Sequence, residues 1–225
     1  MLAMTKDHLL VDAVSLSKIC CKKPIQAHLK YATKENFIGK PIDGYTPRIT
    51  NLCLLAPKAA EALCMAQTHF NRDGYSILVH DAYRPLRAVR YFTKWFDEPV
   101  QDEVELIRKS IHYPQLEKTD LPEIGYVASE VSRHCFGFAV DLTLVRLLNN
   151  EELDFGAIFD FFDPLSRTSA TIEEIGKEAY DNRRYLAKIM ALYGFKPFIE
   201  EFWHFDFHIQ ENHEPLDIEI TAEFL

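Results

Sequence analysis

The stretch that decides the fold is Ser132-Arg133-His134-Cys135-Phe136-Gly137-Phe138-Ala139-Val140-Asp141, which sets an imidazole and a carboxylate seven residues apart across a glycine. From Phe138 to Leu144, large apolar side chains alternate with small or polar ones. This period of two predicts a strand that buries one face in a core and presents Asp141 on the other. Because Gly137 permits a tight turn, we expect His134 to lie in a loop just before the strand.

A second histidine with a carboxylate three residues ahead of it lies further along, in Glu201-Phe202-Trp203-His204. Two imidazoles and one carboxylate can hold zinc while leaving a position open for water, which is the arrangement typical of catalytic zinc. We therefore predict one Zn²⁺ per chain, bound by His134, Asp141 and His204. The alternative ligands that the sequence offers are His208 and Cys135.

Periodicity does not show which glutamate accompanies the second histidine. Residues 198–209 are predicted to form the last long strand, and in a regular strand Glu200 and His204 share a face while Glu201 points the other way. Either a bulge lies between Glu201 and His204, or Glu200 is the carboxylate that works beside the histidine.

Helix and strand patterns surround these two motifs. Arg84 follows a predicted strand and precedes a predicted helix, a place from which side chains commonly face a cleft. Asp81 is interpreted as a turn or capping residue, and His80 and His112 as structural or surface residues. The predicted elements are a helix over 57–71, a strand over 75–80, a helix over 86–96, a mostly irregular segment with one short helix over 98–125, and a helical region over 171–193 broken near Asp181.

Composition and charge restrict the class of protein. The 225 residues are 48% apolar and 26% charged, as in an ordinary globular domain, and the net charge of −9 argues against a nucleic-acid partner. No apolar run approaches the ~20 residues of a membrane span, and charges interrupt the N-terminal apolar run too early for a signal peptide. Five cysteines without a framework spacing indicate reduced thiols and a cytoplasmic protein. The oligomeric state stays open.

The motifs resemble those of a known family, the zinc D-alanyl-D-alanine dipeptidases of peptidase family M15. The family's Ser-x-His-x-x-Gly-x-Ala-x-Asp pattern matches from Ser132 to Asp141. Its Tyr-Arg-Pro pattern matches Tyr83-Arg84-Pro85, and its Glu-Trp-Trp-His pattern matches Glu201-Phe202-Trp203-His204. The likeness extends from about residue 28 to residue 208. It implies a single α+β domain over residues 1–225, with a central antiparallel sheet, flanking helices and a Hedgehog/DD-peptidase-like topology.

The resemblance also implies roles for individual residues. Zinc would lie on His134, Asp141 and His204, with Glu201 as the catalytic base and Arg84 as the group that stabilises the oxyanion. The substrate would be D-alanyl-D-alanine or a close D,D-dipeptide, whose free ammonium a carboxylate at Asp160 would suit. The positions implied to bind substrate are Tyr31, Tyr45, Ser132 and Asp160.

The chain departs from the family pattern at a few positions near these motifs. Arg133 replaces a serine, Cys135-Phe136 replaces a serine and an arginine, and Phe202 replaces a tryptophan. The changes beside the first ligand leave the exact dipeptide preference open. The alternative functions are those of a related peptidoglycan D,D-carboxypeptidase or endopeptidase, and of a non-catalytic binding module stabilised by zinc.

Overall fold

The computed structural model describes residues 9–100, 102–128, 130–208 and 214–225. A mixed five-stranded sheet in the order β2-β4-β5-β7-β6 lies at its centre, and β1 pairs with β3 in a separate two-stranded sheet. The strands are β1 (Val11–Asp12), β2 (Gln26–Ala27), β3 (Leu54–Leu55), β4 (Tyr75–Asp81), β5 (Ala139–Arg146), β6 (Phe195–Pro197) and β7 (His204–Phe207).

Helices pack around this sheet, so the architecture is α+β as predicted. The helices are α1 (Ala13–Cys20), α2 (Pro57–Arg72), α3 (Leu86–Asp97), α4 (Glu103–His112), α5 (Asp120–Ile124), α6 (Ile172–Ile175) and α7 (Lys177–Leu192). The long helix α2 contacts β4 and α7, and its buried face carries Ala59, Leu63, Ala66 and Phe70. No helix among the described residues is both long and apolar enough to cross a membrane.

The central strand β5 behaves as its sequence predicts. Phe138, Val140, Leu142 and Leu144 enter the hydrophobic core, while Asp141 is buried on the opposite face. Strand β5 pairs antiparallel with β4 on one side and with β7 on the other. Asp141 lies directly opposite His204 of β7 and opposite Asp81 of β4. The sheet therefore brings two sequence motifs and the end of β4 to one place.

A β-bulge in β4 decides which face Asp81 takes. Val79 pairs with Leu142 and Asp81 pairs with Asp141, so His80 is the extra residue between the two pairs. Without the bulge, Asp81 would share the core face of Val79 and Leu142 because side chains alternate along a strand. With it, Asp81 turns to the face that carries Asp141. Bulges often re-aim a side chain in this way next to functional sites.

Several sequence-based expectations need correction. The sheet is not wholly antiparallel, because the short edge strand β2 runs parallel to β4. The predicted strand over 198–209 is wrong: β6 ends at Pro197 and β7 begins only at His204, with a turn between them, and residue 209 lies outside the described part of the chain. Two helices, α4 and α5, occupy the segment for which one was expected.

The helical region that starts at Thr171 also differs in detail. A capping box opens the region, with Thr171 and Glu174 bonded reciprocally. The break falls at Gly176 rather than near Asp181, because Gly176 adopts a left-handed φ of 81° that ends α6 before α7 begins. Gly194 follows the end of α7 with a φ of 85°.

Gly137 is the glycine on which the loop before β5 depends. Its φ is 69°, and a Cβ added there would lie 2.7 Å from the backbone nitrogen of Ala56 and 2.8 Å from Cδ2 of Leu10. The carbonyl of Gly137 accepts a hydrogen bond from the same Ala56 nitrogen at 3.0 Å. The loop carrying His134 is thus held against β3 at a distance that only glycine allows.

We predict that Gly137→Ala destabilises the fold by more than about 2 kcal/mol, because it combines a left-handed backbone with a clash against backbone atoms. Gly74→Ala is the matched control: its φ is 89°, yet no atom lies within 4 Å of the added Cβ. We therefore expect Gly74→Ala to lower the free energy of unfolding by only about 1 kcal/mol, the cost of the left-handed backbone alone. Urea unfolding of both variants measures the two changes in the free energy of unfolding. Equal destabilisation by both substitutions would contradict the close approach of Gly137 to Ala56 and Leu10.

Candidate active site

Three side chains converge on one point between β5, β7 and the loop before β5. His134 Nε2 lies 3.2 Å from His204 Nδ1 and 3.4 Å from Asp141 Oδ2, and His204 Nδ1 lies 3.0 Å from Asp141 Oδ1. In tetrahedral zinc sites with bonds of about 2.0–2.1 Å, neighbouring ligand atoms are about 3.3 Å apart. The cluster therefore has the separations and the nitrogen and oxygen donors that a zinc ion requires.

The protein orients His134 through its other ring nitrogen. His134 Nδ1 lies 2.5 Å from the carbonyl oxygen of Ala82, which can only accept a hydrogen bond. Nδ1 therefore carries the proton, and the lone pair of Nε2 faces the cluster. A hydrogen bond of this kind is the usual support of a metal-binding histidine. The imidazole is almost fully buried, so its orientation is also held by packing.

His204 is supported in the same way, but with the roles of its two ring nitrogens exchanged. Its Nε2 donates a hydrogen bond to Asp206 Oδ1 at 3.2 Å, and Nδ1 faces the cluster. Although burial opposes protonation, the bonds to Asp141 and Asp206 raise the pKa of His204 to about 10. A metal at Nδ1 would therefore displace a proton, which is the ordinary competition between protons and metals at histidine ligands.

The geometry distinguishes Glu201 from Glu200. Glu201 is buried, and its Oε2 lies 3.9 Å from His204 Nδ1. Glu200 points away and forms an ion pair with Arg167 at 2.7 Å. Neither of the two strand-based alternatives applies, because Phe202 and Trp203 form a turn before β7 begins. Burial raises the pKa of the Glu201 carboxyl to about 8.

Arg84 reaches the cluster from the turn between β4 and α3. Its Nε donates to Asp81 Oδ2 at 2.9 Å, and its Nη2 lies 3.5 Å from Asp141 Oδ2. The guanidinium also lies over the ring of Tyr31, with Cζ 5.0 Å from the ring centroid. The side chain is buried, so these contacts hold the charge in one position at the edge of the cluster.

Asp81 is the site residue that sequence reasoning misjudged. It is neither a turn residue nor a cap: it ends β4, is fully buried and accepts hydrogen bonds from Arg84 and from the hydroxyl of Tyr45 at 2.7 Å. Its Oδ2 also lies 3.7 Å from His134 Nδ1. Asp81 thus connects the arginine, a metal-cluster histidine and a tyrosine. The spacing of three residues between Asp81 and Arg84 was the available signal.

The remaining residues implied to bind substrate lie in two places. Asp160 is buried and accepts a hydrogen bond from the hydroxyl of Tyr31 at 3.2–3.3 Å. Burial raises the pKa of its carboxyl well above the ordinary value, and the charges of Asp141 and Glu201 add to the effect. Ser132 caps the short 3-10 turn that carries His134, its Oγ accepting from the His134 amide at 3.3 Å.

Other residues named from the sequence stand outside the cluster. His208 is exposed and Cys135 is fully buried, and neither belongs to the group formed by His134, Asp141 and His204. His80 and His112 are both buried, which agrees with a structural interpretation. Arg133 donates to the carbonyl of Phe207 at 2.7 Å and lies 3.7 Å from Asp206. Phe136 packs against the core.

Comparison with known proteins gives matches over most of the chain. A family model described as D-Ala-D-Ala dipeptidase, peptidase M15, matches residues 13–220. The D-alanyl-D-alanine dipeptidase of Enterococcus faecalis is 40% identical over 176 residues, which cover 78% of this chain and 82% of the relative. The D-alanyl-D-alanine dipeptidase of Escherichia coli is 30% identical over 182 residues, which cover 81% of this chain and 78% of the relative.

The solved structures that resemble this chain are less similar to it in sequence than these relatives. The vancomycin-resistance D,D-pentapeptidase VanY in complex with Zn(II) is 18% identical, with a TM-score of 0.39 over 69% of this chain and 73% of that one. The LD-carboxypeptidase LdcB is also 18% identical, with a TM-score of 0.39 over 68% of this chain and 59% of that one. Similarity at this level carries no argument about the site. On the family match and the identities of its relatives, the chain belongs to the peptidase M15 family of D-Ala-D-Ala dipeptidases.

Proposed function

We propose that this chain is a zinc-dependent dipeptidase that hydrolyses D-alanyl-D-alanine, or a close D,D-dipeptide, to free amino acids. The observation that carries the proposal is the convergence of His134 Nε2, His204 Nδ1 and the two carboxylate oxygens of Asp141 at separations of 3.0–3.4 Å. Ala82 and Asp206 occupy the other nitrogens of the two imidazoles, so His134 Nε2 and His204 Nδ1 face the same point. Relatives described as D-alanyl-D-alanine dipeptidases support the substrate.

The three ligands would hold zinc, which when bound supplies a Lewis acid that polarises a carbonyl and lowers the pKa of water from ~16 to ~7. Glu201 is a buried carboxyl whose Oε2 lies 3.9 Å from His204 Nδ1, at the edge of the cluster. We assign it the role of general base: it takes a proton from the attacking water and returns it to the leaving amine.

Arg84 has the position needed to stabilise negative charge on the substrate carbonyl oxygen. Its guanidinium carries further N–H groups beyond the one bonded to Asp81, and it lies at the edge of the ligand cluster. A fixed donor in a buried site is worth roughly 3 kcal/mol or more in the transition state. Tyr45 and Asp81 hold the arginine in place without themselves reaching the cluster's three ligand atoms.

Asp160 and Tyr31 would bind the free α-ammonium of the dipeptide. A buried carboxyl with a raised pKa gains most from a cationic partner, because the partner replaces the lost hydration. This requirement favours a dipeptidase over a carboxypeptidase or endopeptidase, whose substrates carry an acylated nitrogen at that position. Retention of Glu201 and Arg84 argues against a non-catalytic binding module, because a structural metal needs neither group.

We also propose that residues 1–225 form one catalytic domain that works in a reducing compartment, the cytoplasm. All five cysteines are free, including the buried Cys53, Cys64 and Cys135. Reduced thiols are typical of proteins in such compartments. The implied partner is a small dipeptide; the acidic net charge of −9 does not favour nucleic acid.

We predict that Glu201→Ala lowers kcat by about 10³-fold, the effect typical of losing a general base, while zinc binding is unchanged. Glu200→Ala is the matched control, since the neighbouring carboxylate pairs with Arg167 on the outside of the site. The measurements are D-alanine release and zinc content by atomic absorption. Full activity in Glu201→Ala, or equal losses in both variants, would overturn the assignment.

We predict that N-acetyl-D-Ala-D-Ala is cleaved with a kcat/KM at least about 100-fold lower than that of D-Ala-D-Ala, because the buried Asp160 carboxyl loses its cationic partner. Asp160→Asn lowers kcat/KM for D-Ala-D-Ala but not for the acetylated dipeptide, so the ratio between the two substrates becomes smaller. Equal rates on both substrates in the native enzyme would instead support a carboxypeptidase or endopeptidase.

A further inference from the structure

Arg183 lies on the buried face of α7, outside the metal cluster. Its guanidinium is shielded from water, yet within the described part of the chain it forms no ion pair with a carboxylate. Burial lowers the pKa of the side chain to about 10, so the guanidinium stays charged at neutral pH. A buried charge is costly unless hydrogen bonds replace its hydration, so the groups that bind Arg183 show what it holds in place.

Backbone carbonyls and one aromatic ring take the place of a counter-ion. Nε of Arg183 donates to the carbonyl of Phe155 at 2.7 Å. Nη1 donates to the carbonyls of Leu165 at 2.8 Å and Arg167 at 2.9 Å. The guanidinium carbon lies 4.2 Å from the centroid of the Phe202 ring, which is a cation–π distance. Arg183 therefore joins three separate stretches of the chain around one charge.

One of these stretches is the turn that carries Glu201. Residues 198–203 connect β6 to β7, and we call them the base turn. The Glu201 carboxyl is buried and makes no hydrogen bond with any described residue, and its Oε2 lies 3.9 Å from His204 Nδ1. The position of this carboxyl therefore depends on packing and on the backbone of the base turn.

The ring of Phe202, the residue after Glu201, is fixed by two contacts. The guanidinium of Arg183 is one, and the ring of Phe155 is the other, with centroids 5.2 Å apart and planes 14° apart. The two contacts are connected, because the carbonyl of Phe155 accepts the hydrogen bond from Nε of Arg183. Removal of the guanidinium would loosen both partners of the Phe202 ring.

The base turn is also hydrogen-bonded to the segment that the guanidinium binds. The amide of Phe202 donates to the carbonyl of Ser166 at 2.9 Å, and Ser166 stands between the two residues bonded to Nη1. Two residues further along, the amide of Thr168 donates to the carbonyl of Ile199 at 3.0 Å. Ile199 precedes Glu201 and Phe202 follows it, so this segment holds the base turn on both sides of the carboxyl.

We propose that Arg183 is a positioning residue for dipeptide hydrolysis, because it fixes the ring and the backbone segment against which the base turn lies. Its contacts include neither a metal ligand nor a residue assigned to bind substrate, so it acts through Glu201. This inference rests on the proposed function, in which Glu201 is the general base. A general base must lie within hydrogen-bond reach of the proton it takes, so a small displacement of the base turn lowers the rate.

Replacement of the guanidinium in the zinc-loaded enzyme tests the inference. We predict that Arg183→Met lowers kcat for D-Ala-D-Ala by about 100-fold, the effect of a displacement of about 1 Å, while KM and zinc content change little. Arg183→Lys keeps a charge and hydrogen-bond donors on a side chain of similar length, so it recovers about tenfold of the loss. Arg184→Met is the matched control and leaves kcat unchanged, since Arg184 is exposed on the same helix and bonds Tyr180.

A double-mutant cycle separates positioning from stability. In a Glu201→Ala background no base is left to misplace, so Arg183→Met lowers the residual kcat by less than about threefold. An arginine that only stabilised the fold would lower kcat by the same factor in both backgrounds. Urea unfolding of each variant sets conditions under which all of them are folded. If the methionine variant does not fold, Arg183→Lys takes its place in the cycle.

Failure of this inference is distinguishable from failure of the proposed function. Equal factors in both backgrounds, or an unchanged kcat in Arg183→Met, would overturn the positioning role and leave Glu201 as the base. A raised KM at constant kcat would also overturn it, because Arg183 would then act on substrate binding. Full activity in Glu201→Ala would overturn the proposed base, and the positioning role with it.

Discussion

Buried negative charge is the constraint on which the rest of the site depends. Four carboxyl groups stand within one buried region: Asp81 is 0% exposed, Asp141 2%, Asp160 3% and Glu201 7%. The permanent cation in contact with them is the guanidinium of Arg84, bonded to Asp81 and close to Asp141. Burying several unbalanced carboxylates is expensive, and the raised pKa values of Asp160 and Glu201 record that cost. A divalent cation on the three ligands and an ammonium at Asp160 would restore the balance.

The sheet explains how residues so far apart in sequence meet. Register places Asp141 of β5 opposite His204 of β7 and opposite Asp81 of β4, while the glycine turn before β5 brings in His134. Each polar side chain is then oriented by a neighbour rather than by the cluster alone. Ala82 and Asp206 orient the two imidazoles, and Asp81 orients Arg84. Such supporting contacts are what hold a reactive geometry in place.

Much of this site could be predicted from the sequence, because alternation and motif spacing are local signals. The face of Asp141 on β5 and the position of Arg84 after β4 are confirmed by the structure. The face of Asp81 could not be predicted, since the bulge at His80 reverses the alternation and depends on pairing with a distant strand. Periodicity failed at Glu201 for a related reason: the turn at Phe202 and Trp203 interrupts what looked like one continuous strand. The support of His204 by Asp206 depends on the orientation of the imidazole ring, which no local pattern in the sequence indicates.

The most direct test of the account is a titration of metal-free protein with zinc while D-Ala-D-Ala hydrolysis is followed. A single site on His134, Asp141 and His204 predicts that activity is absent without metal and rises linearly to a plateau at one equivalent of zinc per chain. Hydrolysis that survives complete removal of metal would contradict the account. So would one bound equivalent of zinc that produces no hydrolysis of any dipeptide.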